Sequence, residues 1–236
     1  RDKITARGLR NHGVSAVAPG NPMMDGIAKL KCPNDFDRYR RLILLCGSRL
    51  PEAYQNFKKL LIAIQLIHTE SSLAVFVPLN SSSMSHKIEL ILIELGFKPC
   101  IESKGEIGIS GIWQKKSLLI LLGFNQFSSW ANWGEVGVAN AGTATEQLVG
   151  LGIPCVSLPG KGHQFNFNFA MRQSRLLGAA VAISADYQSL AKQVEFLLNS
   201  DSDRLSIGLS GTKRMGPAGG SLSLALMISS KLFQCS

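Results

Sequence analysis

The chain has 236 residues, of which 45% are hydrophobic and 17% charged, and it carries a formal net charge of +9. These values are typical of a globular protein with one or two domains, and no apolar run approaches the ~20 residues that a membrane-spanning helix needs. A basic surface can attract an anionic ligand, a membrane or nucleic acid. Because the sequence has no long Lys/Arg run and no basic stripe interleaved with aromatic residues, we exclude nucleic acid as a partner.

The first 30 residues differ from the rest of the chain. They predict a basic helix, a short strand over residues 14–18 and then the turn-rich stretch PGNPMMDG. Clustered Pro and Gly are typical of a linker or a domain boundary. The chain begins with Arg1, and its opening RDKITARGLRNHG lacks the apolar core of a signal peptide, so we expect a piece of a longer protein or a processed product.

From residue 42 onward, short apolar runs alternate with stretches of helical periodicity. The runs are continuously apolar, which is typical of parallel strands buried on both faces. We predict strands at 42–46, 73–77, 118–122, 136–140, 155–158 and 179–183, and helices at 52–68, 85–96, 125–133, 143–151, 164–177, 187–198 and 221–234. Residues 98–117 are left as one further strand and a loop. The alternation predicts the α/β class, with a doubly wound, Rossmann-like parallel sheet.

Cysteine and histidine spacing gives no sign of a metal site. The five cysteines are far apart and odd in number, with no C-x-x-C pair, and the four histidines fit no zinc motif. We therefore expect free thiols in a reducing compartment and no metal.

The loop after the first predicted strand is the first candidate site, because ligands of open parallel sheets bind outside the carboxyl ends of the strands. It reads Gly47, Ser48 and Arg49, with the next helix predicted to start near Pro51 and Glu52. A glycine turn, a helix start, a hydroxyl and a fixed positive charge can together cradle a phosphate. The alternative is a solvated strand end.

Two further loops carry polar groups at helix starts. After the strand VGVAN, Thr143 and Glu146 can form a capping box, or the Glu146 carboxylate can accept hydrogen bonds from a ribose diol. In the loop that contains His163, Gln164 and Asn168 are four residues apart and are predicted to share a helix face. We predict that Phe165, Phe167 and Phe169 are core residues and that His163 is an exposed loop residue.

Near the end of the chain, Ser221 follows a glycine-rich turn and is predicted to cap the last helix. Asp201 and Asp203 look like a D-x-D metal motif, but their polar surroundings predict a solvated turn. Neither stretch predicts a reaction.

Four stretches of the chain resemble the lipid-A-disaccharide synthase-related proteins of cyanobacteria and plants, and more distantly lipid-A-disaccharide synthase itself. They are GNPMMD (20–25), LLCGSR (44–49), NAGTATEQLVGLGIPCVSLPGKGHQF (140–165) and RMGPAGGS (214–221). The family patterns are G-[HN]-P-x-x-D, L-L-P-G-S-R and a G-T-A-x-x-E helix start. The resemblance implies the donor-binding, carboxyl-terminal half of a two-domain GT-B glycosyltransferase. Residues 1–30 would be the end of the amino-terminal domain and a linker, and residues 31–236 the nucleotide-sugar domain.

The resemblance also implies roles for residues of the first loop. Gly47, Ser48 and Arg49 would bind the donor diphosphate, with Arg49 the catalytic group that stabilises charge on the departing nucleotide. Cys46 stands where the family has proline, which removes a fixed φ and adds a backbone N–H.

In the second loop, Gly142, Thr143 and Glu146 would bind the donor, with Glu146 on the ribose. Gln164 and Asn168 loosely resemble a D-Q-x-x-N-A motif of related transferases, although the aspartate is absent and the asparagine spacing differs by one residue.

The activity implied is a metal-independent hexosyltransferase that moves a sugar from a UDP-sugar to a lipid or lipid-linked acceptor, with no cofactor besides the nucleotide-sugar. The general base would lie in the amino-terminal half. Two alternatives remain open: a sugar-nucleotide epimerase of the same fold, and a non-catalytic relative that binds a nucleotide or lipid. The expected location is the cytoplasm or plastid stroma, with peripheral membrane contact.

Overall fold

A computed structural model describes residues 2–28, 30–100, 108–160 and 162–233, and for residues 231–233 it describes the backbone alone. Residues 101–107, part of the stretch that the sequence left unassigned, lie outside the described residues. Eight strands form one sheet within the described ranges. They are β1 (Arg40–Leu45), β2 (Leu73–Leu79), β3 (Lys98–Pro99), β4 (Gly111–Lys115), β5 (Leu118–Phe124), β6 (Val136–Ala139), β7 (Cys155–Ser157) and β8 (Val181–Ile183).

Helices connect the strands and cover both faces of the sheet. They are α1 (Lys3–Asn11), α2 (Glu52–Ile64), α3 (Ser85–Glu94), α4 (Phe127–Trp130), α5 (Thr143–Gly150), α6 (Phe167–Leu177), α7 (Tyr187–Asn199), α8 (Asp201–Met215) and α9 (Gly220–Phe233). The strand order is β3-β4-β5-β2-β1-β6-β7-β8. The run from β5 to β8 is parallel, whereas β3 and β4 add an antiparallel edge. All the parallel strands that the sequence predicts are therefore confirmed.

The sheet reverses its winding between β1 and β6. From β1 the chain builds outward through β2 to β5, and it then returns to add β6 on the other side of β1. Loops that follow β1 and β6 leave the sheet in opposite directions, so a crevice opens between them at their carboxyl ends. This topology places the loops after residues 45 and 139 side by side.

The core has two layers, and alternate residues of β1 enter each of them. Leu42 and Leu44 pack in the layer formed with α2, α3 and α7, while Ile43 and Leu45 pack in the layer formed with α5 and α8. All four are buried, which explains why the strand is continuously apolar instead of alternating.

Two local predictions are wrong, and a third is confirmed in part. Residues 14–18 form no strand. Asp201 and Asp203 lie in the first turn of α8, where a carboxylate is favourable to the helix dipole, and not in a solvated turn. The predicted helix at 125–133 divides into α4 and a 3₁₀ turn, Ala131–Trp133.

Candidate functional site

A cleft of about 510 Å³ opens at the reversal point of the sheet. One wall is the loop after β1 and the first turns of α2, and the opposite wall is the loop after β6 with the start of α5. Further lining comes from Gln164 and Phe165 in the segment before α6 and from Phe169 in its first turn. Pro78, Asn80 and Phe127 line the cleft as well. The cleft therefore lies where the topology predicts a ligand site.

The turn after β1 brings a positive charge to the cleft. Gly47 adopts φ 87°, and a Cβ built on it would lie 3.2 Å from the Asn140 backbone oxygen, so the turn requires glycine for both conformation and space. Ser48 and Arg49 follow, and both are exposed. The Arg49 guanidinium makes no hydrogen bond or ion pair with the described residues, so its donors are free to meet an anion.

Buried asparagines connect the strand ends beneath the cleft. Asn140 donates to the Asn56 side chain at 3.1 Å and to the Leu158 carbonyl at 2.7 Å, and its Oδ1 accepts from the Leu158 N–H. Asn56 in turn donates to the Cys46 carbonyl. Sequence reasoning missed both asparagines, because their partners are distant in the chain. Their network ties the ends of β1, β6 and β7 to α2.

The start of α5 differs from the predicted capping box. Gly142 is the N-cap, and no side chain among the described residues caps the helix. Thr143 is exposed and lines the cleft, whereas Glu146 is half-buried in the first helical turn and is not a lining residue. The capping prediction is wrong because Thr143 is the first residue of the helix, and the N-cap position falls on Gly142. Gly142 and Thr143 thus face the cleft, and Glu146 does not.

Gln173 holds the loop after β6 from below. Its Nε2 donates to the carbonyl oxygens of Ala141 at 3.2 Å and Gly142 at 3.1 Å. Its side chain is buried, and its Oε1 accepts no hydrogen bond from the described residues. The two carbonyl contacts fix the shape of the loop from which α5 begins.

The segment between β7 and α6 places Gln164 and Asn168 apart. α6 begins at Phe167 with Asn166 as its N-cap, so Gln164 lies in the preceding loop and the predicted shared helix face is wrong. Gln164 lines the cleft; Asn168, in the first turn of α6, does not. Lys161 lies outside the described residues.

The three phenylalanines of this segment have different environments. Phe165 is 3% exposed and contacts the ring of Phe169, with centroids 5.4 Å apart. Phe167 is 60% exposed, so its predicted core position is wrong, and Phe169 lines the cleft. His163 is exposed, as predicted.

Residues 20–25 and residues 214–221 contact each other. The Asp25 carboxylate accepts the backbone N–H groups of Gly219 and Ser221, at the start of α9. Hydrogen bonds from the Ser221 side chain and backbone, and from Gly219, lower the pKa of Asp25. Asn21 adds bonds to the backbone of Met215 and Pro217. The cap predicted for Ser221 is therefore wrong: Asp25 performs that role, and we call this contact between residues 20–25 and 214–221 the clasp.

The described residues contain free thiols, and they contain neither a candidate metal cluster nor a membrane-spanning helix. Four cysteines there are free thiols, at positions 32, 46, 100 and 155, which agrees with the sequence prediction. Burial raises the pKa of the Cys46 thiol to about 12. Across the described ranges, no helix is long and apolar enough to cross a membrane, and no group of three or more His, Cys, Asp or Glu side chains could hold a metal.

No protein-family model matches the chain, and no curated protein matches its sequence. Solved structures match its fold. Staphylococcus aureus MnaA, determined with UDP, has a TM-score of 0.59 and 13% identity, and the match covers 98% of this chain and 58% of that chain. A UDP-N-acetylglucosamine 2-epimerase has a TM-score of 0.54 and 13% identity, with 94% and 53% covered.

A third match is the C-terminal CMP-Kdo binding domain of WaaA from Acinetobacter baumannii. Its TM-score is 0.56 at 14% identity, and the match covers 82% of this chain and 97% of that chain. The chain thus spans 58% and 53% of the two longer structures and nearly all of the third. At these identities the likeness shows the fold alone, and it confirms the predicted Rossmann-like α/β class.

Proposed function

We propose that the chain is the donor-binding part of a glycosyltransferase that moves a sugar from a UDP-sugar to a lipid or lipid-linked acceptor. The observation that carries the donor site is the cleft at the reversal point of the sheet, with the unpaired, exposed Arg49 on one wall. The MnaA structure was determined with UDP, which supports a nucleotide ligand for this fold. The lipid acceptor rests on the sequence resemblance alone.

The roles of the loops follow from their positions. Ser48, Arg49 and the backbone at Gly47 would bind the diphosphate, and Arg49 would stabilise the charge that develops on the departing nucleotide. Because arginine keeps its charge at all accessible pH values, this stabilisation needs no proton transfer.

On the opposite wall, Gly142 and Thr143 would approach the ribose or the adjacent phosphate. Gln164 offers an amide to the base, and Phe169 offers an aromatic ring. Glu146 would accept hydrogen bonds from the ribose diol once a side-chain rotation brings its carboxylate to the cleft. Asn168 does not line the cleft either, and it would need a similar rotation to contact the donor.

Calorimetric titration with UDP, UDP-N-acetylglucosamine and UDP-glucose tests the donor site. We expect a single site for UDP, and a folded chain that binds none of the three would contradict the proposal. Titration with 2′-deoxy-UDP tests the ribose contact separately. Glu146→Ala should weaken UDP binding more than 2′-deoxy-UDP binding, because the deoxy ligand keeps only its 3′-hydroxyl. An equal loss for both ligands would contradict a bond from the ribose 2′-hydroxyl to Glu146.

A second candidate function is a sugar-nucleotide epimerase, which the likeness to a UDP-N-acetylglucosamine 2-epimerase favours. An epimerase acts on the donor without any acceptor. The test incubates the full-length natural protein with UDP-N-acetylglucosamine alone and follows the reaction by NMR. If this function is right, a second sugar-nucleotide accumulates. A transferase would leave the donor intact until an acceptor is added.

A further inference from the structure

Glu52, the first residue of α2, contacts the loop that closes one side of the cleft. Its Oε1 accepts the Phe165 N–H at 2.9 Å, and its Oε2 accepts the Gln164 N–H at 3.2 Å. Each carboxylate oxygen therefore binds one of two consecutive backbone donors. Such charge-assisted bonds are stronger than those between neutral groups.

Gly162 makes room for this contact. A Cβ built on Gly162 would lie 2.5 Å from the Glu52 carboxyl carbon and 2.7 Å from each of its oxygens. The loop wraps the carboxylate from Gly162 to Phe165, which is the concave backbone arrangement that binds anions. The anion in this concavity is a side chain of the protein.

Two other hydrogen bonds hold the ends of this loop. The Lys59 ammonium donates to the Pro159 carbonyl, and the Gly160 N–H donates to the Phe165 carbonyl at 3.0 Å. Between these anchors, the Asn166 side chain donates a long bond of 3.5 Å to the His163 carbonyl. Without Glu52 the Gln164 and Phe165 amides would lose their acceptor, and the glycine-containing segment would gain conformational entropy. Gln164 and Phe165 line the cleft at the end of this segment.

We propose that Glu52 is a positioning residue of the nucleotide cleft: its carboxylate holds residues 162–165 so that Gln164 and Phe165 face the ligand before it binds. This inference rests on the proposed nucleotide site and deepens it. A wall that is ordered in advance spares the ligand the entropic cost of ordering the loop. The negative charge of Glu52 by itself would weaken the binding of a diphosphate at the cleft. The proposed positioning role therefore has the opposite effect on affinity from the charge.

Positioning of the loop and repulsion by the Glu52 charge predict opposite changes in UDP affinity when Glu52 is removed. If Glu52 positions the loop, Glu52→Ala lowers the affinity for UDP and for uncharged uridine, by about tenfold each. If Glu52 acts through its charge, the same change raises the UDP affinity and leaves uridine binding as it was. Gly162→Ala sharpens the test, because its methyl group displaces the carboxylate while the charge stays.

Amide hydrogen exchange, measured by NMR, reads the contact directly and needs no ligand. In Glu52→Ala and in Gly162→Ala, the Gln164 and Phe165 amides should exchange about ten times faster than in the wild type, because local opening costs less free energy. Gln55→Ala, an exposed change in the same helix, is the matched control and should leave both rates unchanged. Glu52→Gln keeps one acceptor and should fall between wild type and Glu52→Ala.

Failure of the inference and failure of the proposed function give different results. The role of Glu52 is overturned if the exchange rates do not change, or if the affinities for UDP and uridine do not fall in both Glu52→Ala and Gly162→Ala. The nucleotide site stands in either case as long as the wild type binds UDP. A folded wild type that binds neither UDP nor uridine overturns the nucleotide site, and with it the positioning of the loop for a nucleotide.

Discussion

Two turns of this molecule that contain glycine lead into helices, and the structure uses them differently. The turn after β1 precedes α2 and leaves the Arg49 side chain exposed at a cleft. The turn before α9 is filled by the chain itself, because the Asp25 carboxylate accepts the N–H groups of Gly219 and Ser221. A helix start can bind an anion only where the fold leaves its donors without an internal acceptor.

Close packing keeps the clasp shut. A Cβ on Gly220 would lie 2.5 Å from the Pro22 nitrogen, and one on Gly20 would lie 3.1 Å from Gly220. At these two positions the backbones approach too closely to admit a side chain. The cleft by contrast has about 510 Å³. These contacts indicate that the turn after β1 binds a ligand and that the turn before α9 stabilises the fold. Each of the following experiments tests this division.

The largest expected effect is at Arg49. Arg49→Ala should lower the UDP affinity about 100-fold, since a bond to a charged group contributes about 2–3 kcal/mol. The free energy of unfolding should not change, because the Arg49 side chain is exposed and has no hydrogen-bond or ion-pair partner among the described residues. Calorimetry and urea unfolding measure the two quantities. Arg7→Ala, an exposed arginine of α1, is the charge-matched control, and an equal loss of affinity there would leave only a non-specific charge effect.

A change at Gly47 should affect both stability and binding. Gly47→Ala places a side chain at φ 87° and 3.2 Å from the Asn140 oxygen. We expect the free energy of unfolding to fall by about 1–2 kcal/mol, the usual cost of such backbone strain. The UDP affinity should fall as well, because the turn carries Ser48 and Arg49.

Gly8→Ala is the control for this change. Gly8 lies in α1 with open space around it, so alanine there should raise the free energy of unfolding by about 0.5–1 kcal/mol. Equal behaviour of the two variants in urea unfolding would show that the turn after β1 does not need its glycine.

The smallest effect is expected at the clasp, and it depends on pH. Hydrogen bonds from Ser221 and Gly219 lower the pKa of Asp25 in the folded protein. A lowered pKa stabilises the fold above the ordinary pKa of the carboxyl, and this contribution is lost as the pH falls through the folded value. Asp25→Asn should therefore be less stable than the wild type at neutral pH, and the difference should vanish in acid.

Thermal unfolding across that pH range measures the effect, with the exposed Asp35→Asn as the control. UDP affinity should be the same in Asp25→Asn and the wild type, because Asp25 does not line the cleft. A loss of UDP binding in Asp25→Asn would contradict the division between the cleft and the clasp.

The sequence by itself determined the sheet and the approximate place of the site. Continuous apolar runs such as residues 42–46 predict strands buried on both faces, and β1 confirms this with four buried residues. Once the strands were parallel, their following loops had to meet at one edge. Gly47 to Arg49 and the loop at Gly142 could therefore be placed together from local patterns alone.

Tertiary structure decided what depends on contacts distant in sequence. The sequence did not predict the α8 helix, which has two interior glycines. A Cβ on Gly208 would lie 2.0 Å from the Gly152 oxygen, so glycine is needed there for close packing against the end of α5. Asp25 caps a helix almost two hundred residues away, and Glu52 binds a loop more than a hundred residues away. Neither partner is visible in the local pattern, because a carboxylate finds its donors only after the sheet has brought them together.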